Sequence, residues 1–331
     1  MFGGRSRLMK VLGAPVFLSR SLLRPQLNRY RLARSGNLLV VEVNSWVGLF
    51  AHLEWFLEIS VHCERHGLKP CFMSTSPQYV DPKRGPDWYD YFFTNPQLSP
   101  EDRERIVTGD VPICRIDGIR QMGLPENYDL ILNLQDAPHL VRKYIGVKPE
   151  VTEQVQTFAR ESFAGRTVLG VHYRGTDKAA EAPRLSYEDV HRSIEAFLVE
   201  HPEFDCLFVS SDEQAFVDFI ESAFQSSIPV VYHEDRERSR AGVAIHRSRS
   251  GERFRKAEEA VVNCLLLSRC DALIKTPSIL SGWSRLFNPD LPVILLASPF
   301  AGQLWFPDRD LLLETPSRWI ARTGLAAAAS H

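Results

Sequence analysis

The stretch TVLGVHYRGTDK, residues 167–178, decides how this sequence is interpreted. Its first half is apolar and has the composition of a buried strand. The apolar run then stops, and an imidazole, a guanidinium, a carboxylate and an ammonium group follow within seven residues, on His172, Arg174, Asp177 and Lys178. Ligands of parallel sheets bind where a strand passes into its loop, so this cluster predicts a functional site.

The rest of the chain repeats the pattern of an apolar strand followed by an amphipathic helix. Continuous apolar strands that alternate with helices are typical of parallel sheets covered on both faces, which predicts an α/β fold. Ser186, with Asp189 three residues later, has the pattern of a capping box at the start of one helix. The predicted strands cover residues 38–44, 69–75, 128–134, 166–173, 204–211, 228–233, 271–276 and 291–297, and the predicted helices cover about 49–66, 151–164, 213–224 and 257–270, with others from Ser186 and after Pro277.

Polar residues also follow two further strands of the C-terminal half. Ser210, Ser211 and Asp212 lie at the carboxyl end of the strand at 204–211, and Lys275, Thr276 and Ser278 lie at the carboxyl end of the strand at 271–276. Because the carboxyl ends of parallel strands share one edge of a sheet, we expect these side chains to face a single cleft together with the 172–178 cluster. Ser210, Ser211 and Asp212 are equally suited to capping the next helix. For the 172–178 cluster the alternative is a surface Arg–Asp ion pair, which spacing favours less than a functional site.

The chemistry of the 172–178 cluster suits a diphosphate. Arginine binds phosphate oxygens in a bidentate manner, and lysine adds a point charge. The helix that begins after Pro277 could add backbone N–H groups. Neither a GxGxxG dinucleotide motif nor a GxxxxGK[ST] P-loop is present. A diphosphate held by side chains and a helix terminus favours a sugar nucleotide as the ligand.

Composition is that of a globular protein. The chain has 331 residues, 44% of them hydrophobic and 24% charged, with a formal net charge of −2. This length suggests two domains, with a seam within 146–165. The net charge does not indicate nucleic-acid binding, and no zinc-ligand spacing occurs. The six cysteines form no CxxC pair, which favours a reducing, cytoplasmic compartment.

The first 35 residues form a basic arm. The apolar run 11–18 is too short to cross a bilayer, so the arm predicts, at most, a peripheral contact with an anionic membrane surface. The alternative is a solvated tail. Its basic residues, all before the first acidic residue Glu42, are Arg5, Arg7, Lys10, Arg20, Arg24, Arg29, Arg31 and Arg34.

Three blocks of the sequence together resemble a known family. GVHYRGTDK (170–178) is similar to the HxRxTDK motif of the NodZ-type and α1,6-fucosyltransferase family of GDP-fucose-dependent transferases. FVSSDEQAF (208–216) and VVNCLLLSRCDALIKTPS (261–278) resemble the two blocks that follow it in that family, in the same order. The resemblance covers about 166–297. The N-terminal half matches loosely, through NSWVGLFAHL (44–53) and the YDYFF stretch.

The resemblance implies a metal-independent GT-B enzyme with two Rossmann-like domains that flank a cleft and with no cofactor beyond its nucleotide-sugar donor. It implies an acceptor-side domain over 36–155 and a donor-binding domain over 156–300, with the basic arm at 1–35 and a C-terminal tail at 301–331. Arg174 would hold the β-phosphate. The other residues that it places at the donor pocket are His172, Asp177, Lys178, Ser211, Asp212, His246, Asn263, Thr276 and Ser278.

The sequence departs from the family pattern at two positions. Gly175 stands where the eukaryotic branch has a second arginine. Asn263 stands where an aspartate recognises the base; a carboxylate can accept two N–H bonds from guanine, whereas an amide offers one acceptor oxygen. The identity of the base and of the sugar therefore stays open.

The implied reaction is a direct displacement that inverts the anomeric carbon and moves fucose from GDP-fucose to a glycan hydroxyl. Arg174 and Lys178 would stabilise the leaving diphosphate, and Glu181, a short loop past the motif, is the candidate base. The alternatives are a transferase of the same fold with another nucleotide sugar and a catalytically inactive sugar-nucleotide or glycan-binding protein. The acceptor and the oligomeric state are not encoded in a recognisable motif.

Overall fold

The computed structural model of the chain describes residues 36–175, 180–233 and 252–320. Strands and helices alternate through most of this part. The strands are β1 (Leu38–Val43), β2 (Lys69–Ser74), β3 (Phe93–Thr94), β4 (Ile113–Ile116), β5 (Gly146–Val147), β6 (Val168–Tyr173), β7 (Cys206–Ser211), β8 (Val230–Val231), β9 (Ala272–Lys275) and β10 (Val293–Leu295). The helices are α1 (Leu49–Arg65), α2 (Tyr89–Phe92), α3 (Pro100–Val107), α4 (Ala137–Tyr144), α5 (Pro149–Ser162), α6 (Tyr187–Glu200), α7 (Gln214–Phe224), α8 (Arg253–Leu267), α9 (Ile279–Phe287) and α10 (Asp308–Glu314). Short 3₁₀ helices cover Ile119–Met122, Tyr128–Leu130 and Ser317–Trp319.

The N-terminal half contains a parallel sheet of three strands in the order β2-β1-β4. β1 lies in the middle, where Val41 pairs in register with Phe72 on one side and with Cys114 on the other. The apolar run of β1 follows from this position, because a central strand of a covered sheet has no face in contact with water.

The C-terminal half contains a five-stranded sheet in the order β10-β9-β6-β7-β8, with every pairing parallel. β6 is its central strand, and all six of its residues are buried. Gly170 allows the close approach of the neighbouring chain, since a Cβ at this position would lie 3.0 Å from the Cys270 Sγ atom. Residues 168–173, the apolar part of TVLGVHYRGTDK, therefore form the centre of this sheet, and the predicted α/β class with parallel sheets is confirmed.

The two sheets share a hydrophobic core that continues from one half of the chain into the other. Helix α1 of the N-terminal half packs against α9 of the C-terminal half, with the Phe50 and Trp283 rings 5.8 Å apart. Helix α10 packs against β10. The predicted division into domains over 36–155 and 156–300, with a tail from 301, stays a prediction.

The strand predicted at 128–134 is wrong. The segment instead forms the 3₁₀ helix Tyr128–Leu130 followed by a loop. Its carbonyl groups do not pair with a strand, because the Arg309 guanidinium donates to the carbonyl oxygens of Asp129 (3.0 Å) and Leu132 (2.6 Å). The segment YDLILNL is mostly apolar and has the composition of a strand, but here a donor from a distant part of the chain satisfies two of its carbonyl groups.

The capping box predicted at Ser186 is present, since the Ser186 hydroxyl accepts from the Asp189 N–H and the Asp189 carboxylate accepts from the Ser186 N–H. In the ranges that the structure describes, no helix combines the length and the apolar character that crossing a bilayer requires. The basic arm, residues 1–35, lies outside those ranges.

Candidate functional site

The polar ends of three strands lie side by side at one edge of the C-terminal sheet. His172 of β6 pairs in register with Ser210 of β7 and with Lys275 of β9. Parallel strands that are neighbours in a sheet bring their carboxyl ends to the same edge, so residues about 40 and 100 positions apart in the chain meet here. Arg174 and Asp212, which come directly after β6 and β7, place a positive and a negative charge at this edge.

The Arg174 guanidinium is held in place by its neighbours. Its Nη1 atom lies 3.2 Å from Oδ2 of Asp212, and the Arg174 backbone N–H donates to the Thr276 hydroxyl at 2.8 Å. The other oxygen of Asp212 accepts from the Gly175 N–H at 3.2 Å. The Arg174 side chain is 18% exposed and that of Asp212 is 6% exposed, so the pair is largely removed from water. A guanidinium fixed in this way is preorganised to bind an anion.

A cavity of about 910 Å³ lies between the two halves of the chain, and the Arg174 side chain forms part of its wall. Helix α1 and the loops after β1 and β4 line one side, and the ends of β6 and β7 with helices α8 and α9 line the other. The residues predicted from the sequence that line it are His172, Arg174, Glu181, Ser210, Ser211, Asp212, Asn263 and Ser278. Thr276 lies behind Arg174, and Asp177, Lys178 and His246 fall outside the described residues. The functional roles of all these residues stay predictions.

His172 contributes a neutral imidazole to the cavity wall. Its ring is buried, and burial, followed by the positive charges of Lys275 and Arg174, holds the pKa of His172 well below its ordinary value. Within the described residues its Nδ1 atom has no hydrogen-bond partner. Buried polar atoms are rarely left in this condition.

Lys275 does not face the cleft, contrary to the expectation from the sequence. Its side chain is fully buried, and its Nζ atom pairs with the Asp308 carboxylate and donates to the Ser278 carbonyl at 3.0 Å. The Ser278 N–H in turn donates to Asp308 at 2.7 Å. The network joins the end of β9 to the start of α10. The Ser278 N–H, which could have bound a phosphate, is therefore used inside the protein.

Asn263 lies on α8 with its side chain in the cavity wall. Its Nδ2 atom donates to the carbonyl oxygen of Glu259, one turn earlier on the same helix, at 2.9 Å. This bond orients the amide group. Lys256 and Glu259 line the same side of the cavity, so the surroundings of Asn263 are charged as well as polar.

The space beside Gly175 is filled by the Glu213 carboxyl group. A Cβ at position 175 would lie 2.5 Å from the Glu213 carboxyl carbon. Glu213 accepts from the Tyr187 hydroxyl at 2.7 Å and from the Arg184 guanidinium at 3.2 Å. The Glu213 carboxyl group therefore occupies the space that a side chain at position 175 would take, and the second arginine of the family pattern would have to displace it.

A group of carboxyl groups that was not predicted lines the opposite wall. Glu54 and Glu58 are four residues apart on α1 and both are buried. Asp129 lies beside them and pairs with Arg309 at 3.4 Å. Burial, followed by the nearby Asp129 and Glu58 carboxylates, raises the pKa of Glu54, and burial followed by Asp129 raises the pKa of Glu58 to about 7. No local signal sets these two glutamates apart, because α1 also contains His52, His62 and Glu64 and has the pattern of an ordinary amphipathic helix.

Glu181, the candidate base, is half-buried in the cavity wall, and its backbone carbonyl accepts from the Phe300 N–H at 2.8 Å. Over residues 36–175, 180–233 and 252–320, no three His, Cys, Asp or Glu side chains are grouped so as to hold a metal ion.

Comparison with solved structures shows the fold. The chain is similar to NodZ α-1,6-fucosyltransferase co-crystallized with GDP, with 16% sequence identity over 78% of this chain and 95% of that chain and a TM-score of 0.50. It is similar to fucosyltransferase NodZ from Bradyrhizobium, at 15% identity over 78% and 94% of the two chains and a TM-score of 0.51. It is also similar to a mutant of Arabidopsis thaliana FUT1 in complex with GDP, at 12% identity over 82% and 73% and a TM-score of 0.51.

No protein-family model and no curated protein matches the sequence. The likeness at these identities is one of architecture. The chain has the two-part α/β fold of GT-B type found in NodZ and related fucosyltransferases, as predicted.

Proposed function

We propose that the protein is an inverting glycosyltransferase that moves fucose from GDP-fucose to a hydroxyl group of a glycan acceptor. The fold supports this proposal, since solved structures with the same architecture include NodZ in complex with GDP and NodZ soaked with GDP-fucose. Fold alone does not define chemistry, so the proposal depends on the site.

The observation that carries the proposal is the position of Arg174. Arg174 follows the central strand and lies in the wall of the cavity, where Asp212 pairs with its guanidinium and the Thr276 hydroxyl accepts from its backbone N–H. In the proposed reaction the bond between the anomeric carbon and the diphosphate oxygen breaks while the acceptor oxygen bonds to the opposite face of that carbon. Negative charge grows on the diphosphate as its bond breaks. A cation already in place stabilises this charge more in the transition state than in the ground state.

The acceptor hydroxyl loses its proton in this reaction. Glu181 lies in the cavity wall and is the candidate that takes it. Glu181→Gln should lower kcat by about 10²-fold or more without changing donor affinity. Turnover close to that of the wild type would remove Glu181 from this role.

No metal and no cofactor take part in the proposed reaction, because Arg174 and Lys178 supply the positive charge that neutralises the leaving diphosphate. Turnover measured with and without EDTA should therefore be the same.

The contact of the basic arm, residues 1–35, with a membrane surface stays a prediction. The location of the protein in the cytoplasm stays a prediction as well.

Asn263 favours a second candidate donor. Its amide N–H group already donates to the Glu259 carbonyl. An amide has one acceptor oxygen for the N–H groups of guanine, whereas a carboxylate has two. A transferase of the same fold with another base or sugar is therefore the alternative, and a catalytically inactive binding protein is the third candidate.

One experiment separates the three candidates. Thermal unfolding is measured with GDP, UDP, GDP-fucose, GDP-mannose and UDP-glucose, and transfer is then followed by mass spectrometry. A ligand at 100 times its Kd should add about 2.7 kcal/mol of stability. Stabilisation by GDP and GDP-fucose with transfer of fucose supports the proposal, and stabilisation by the UDP ligands alone supports the second candidate. Binding with neither transfer nor donor hydrolysis supports the third.

A further inference from the structure

One face of helix α8 places two buried charged side chains in the wall of the cavity. Lys256, Glu259 and Asn263 line the cavity together with Ala260. Because these residues are three or four positions apart in sequence, they lie on the same side of the helix. Lys256 is 7% exposed and Glu259 is 8% exposed. Lysine and glutamate are rarely buried to this extent, so their presence in the wall of a cavity calls for a function.

Helix α8 brings this face to the edge of the sheet at which Arg174 lies. The helix leads into β9, which pairs in parallel with β6. A helix that joins two parallel strands runs antiparallel to them, so the first turns of α8 lie nearest the carboxyl ends of the strands. Lys256 and Glu259 belong to these turns, and Asn263 follows Glu259 by about 6 Å along the helix axis. The cavity thus offers a nucleoside diphosphate one position for its phosphates, at Arg174, and a separate position for its base, at α8.

A carboxylate next to an ammonium group matches the hydrogen-bonding edge of guanine. This edge has two adjacent donors, the N1–H group and the amino group, beside the acceptor oxygen O6. A carboxylate accepts from two donors, and an ammonium group donates to an acceptor. Adenine, cytosine and uracil have no two adjacent donors on this edge, so each would place an acceptor atom against the Glu259 carboxylate. The two charged groups of α8 therefore favour guanine among the common bases.

The Asn263 amide is less suited to this role. Its Nδ2 atom donates to the Glu259 carbonyl at 2.9 Å, so the amide N–H group is already bonded within the helix. The amide oxygen is a single acceptor, whereas guanine presents two donors. Glu259, one turn earlier on the same face, supplies the two acceptor oxygens that an asparagine does not have.

We propose that Glu259 determines the specificity for the donor base, and that this base is guanine. The Glu259 carboxylate accepts from the N1–H group and the amino group, and the Lys256 ammonium group donates to O6. The inference rests on the proposed function, which places a nucleotide-sugar donor in this cavity. It assigns base recognition to a residue that the sequence motifs did not single out.

The test is calorimetric titration of the full chain with GDP, IDP, XDP and UDP. IDP lacks the amino group of GDP, and XDP has a carbonyl oxygen in its place. The wild type should bind GDP at least about tenfold more tightly than the other three, since a buried hydrogen bond to a charged group distinguishes them. Glu259→Gln should bind GDP and IDP with affinities within about twofold of each other. It should bind XDP at least as tightly as GDP, because the glutamine N–H group can donate to the new carbonyl oxygen.

The matched control is Glu258→Gln, one residue earlier on the same helix and outside the cavity wall. This variant should keep the preference of the wild type for GDP. The gain of XDP binding by Glu259→Gln is the decisive measurement, because a variant that has lost its fold cannot gain affinity for a ligand.

Two results would overturn the inference alone. One is an unchanged ratio of GDP to IDP affinity in Glu259→Gln, and the other is a wild type that binds XDP more tightly than GDP, which would assign the base to the Asn263 amide. Binding of UDP in place of GDP would overturn both the inference and the proposed donor. Transfer of fucose by the same samples is followed by mass spectrometry, and the expected change of base preference without any transfer would refute the proposed function and leave the role of Glu259 standing.

Discussion

Removal of the Arg174 guanidinium should affect stability and catalysis through two separable causes. In Arg174→Ala the Asp212 carboxylate, whose side chain is 6% exposed, loses its ion-pair partner and keeps the Gly175 N–H bond. Breaking a buried pair from one side costs about 3–5 kcal/mol in the free energy of unfolding. Because the Gly175 N–H bond to Asp212 remains, we expect a loss of about 3 kcal/mol, at the lower end of that range.

The catalytic effect has a different origin. Loss of one preorganised group that stabilises transition-state charge costs about 10²–10³ in kcat, or about 2.7–4 kcal/mol of activation free energy. The double variant, Arg174→Ala with Asp212→Ala, no longer leaves a charge buried without its partner. It should therefore recover most of the lost stability but none of the lost turnover. This difference distinguishes a catalytic guanidinium from one that only maintains the fold.

Stability is measured by urea unfolding, and turnover by release of GDP from GDP-fucose at saturating donor and acceptor. Arg318→Ala is the matched control. Its pair with Glu200 at 2.9 Å is exposed on both sides and is worth about 0–1 kcal/mol. A kcat of Arg174→Ala within about threefold of the wild type, set against the loss of about 10² expected, would refute the role of Arg174. Recovery of turnover in the double variant would refute it equally.

Three further predictions concern the surroundings of the site. Gly175→Ala should lower the free energy of unfolding by about 1.5–3 kcal/mol, because its Cβ displaces the Glu213 carboxyl group from its hydrogen bonds with Tyr187 and Arg184. In a Glu213→Ala background the same substitution should cost less, and urea unfolding measures both. The pKa of Glu58 is raised from 4.5 to about 7, so the native state binds its proton more tightly, and the stability from this group is fully present below about pH 4.5 and is lost as the pH rises through 7. Glu58→Gln should therefore flatten the pH dependence of the free energy of unfolding between pH 5 and 8 in urea titrations. An unchanged slope would show that another group titrates. Lys275→Met should cost about 3–5 kcal/mol, since it leaves Asp308 buried without its cation, and adding Asp308→Asn should restore part of the loss; additive losses in the two variants would contradict the pairing.

Much of the C-terminal half could be predicted because its signals are local. The apolar run before His172 and the helix after Ser186 are encoded by neighbouring residues, and the structure has β6 and α6 there. The polar groups at the strand ends could be predicted to meet, since parallel pairing brings these ends to one edge. The N-terminal side of the cavity could not be predicted in the same way. Its Glu54 and Glu58 have the appearance of ordinary residues of an amphipathic helix until the other half of the chain covers them.

The α/β pattern, the central apolar strand and the charged cluster at its end can be inferred from local sequence, because each depends on residues that are adjacent or one helical turn apart. Three features depend on the packed fold: Lys275 is turned inward to Asp308, Glu213 fills the space beside Gly175, and 128–134 is not a strand. Each of these outcomes depends on a partner that is about 30 to 180 residues away along the chain. Such a partner is brought into contact only by the packing of the core, so no local pattern contains it.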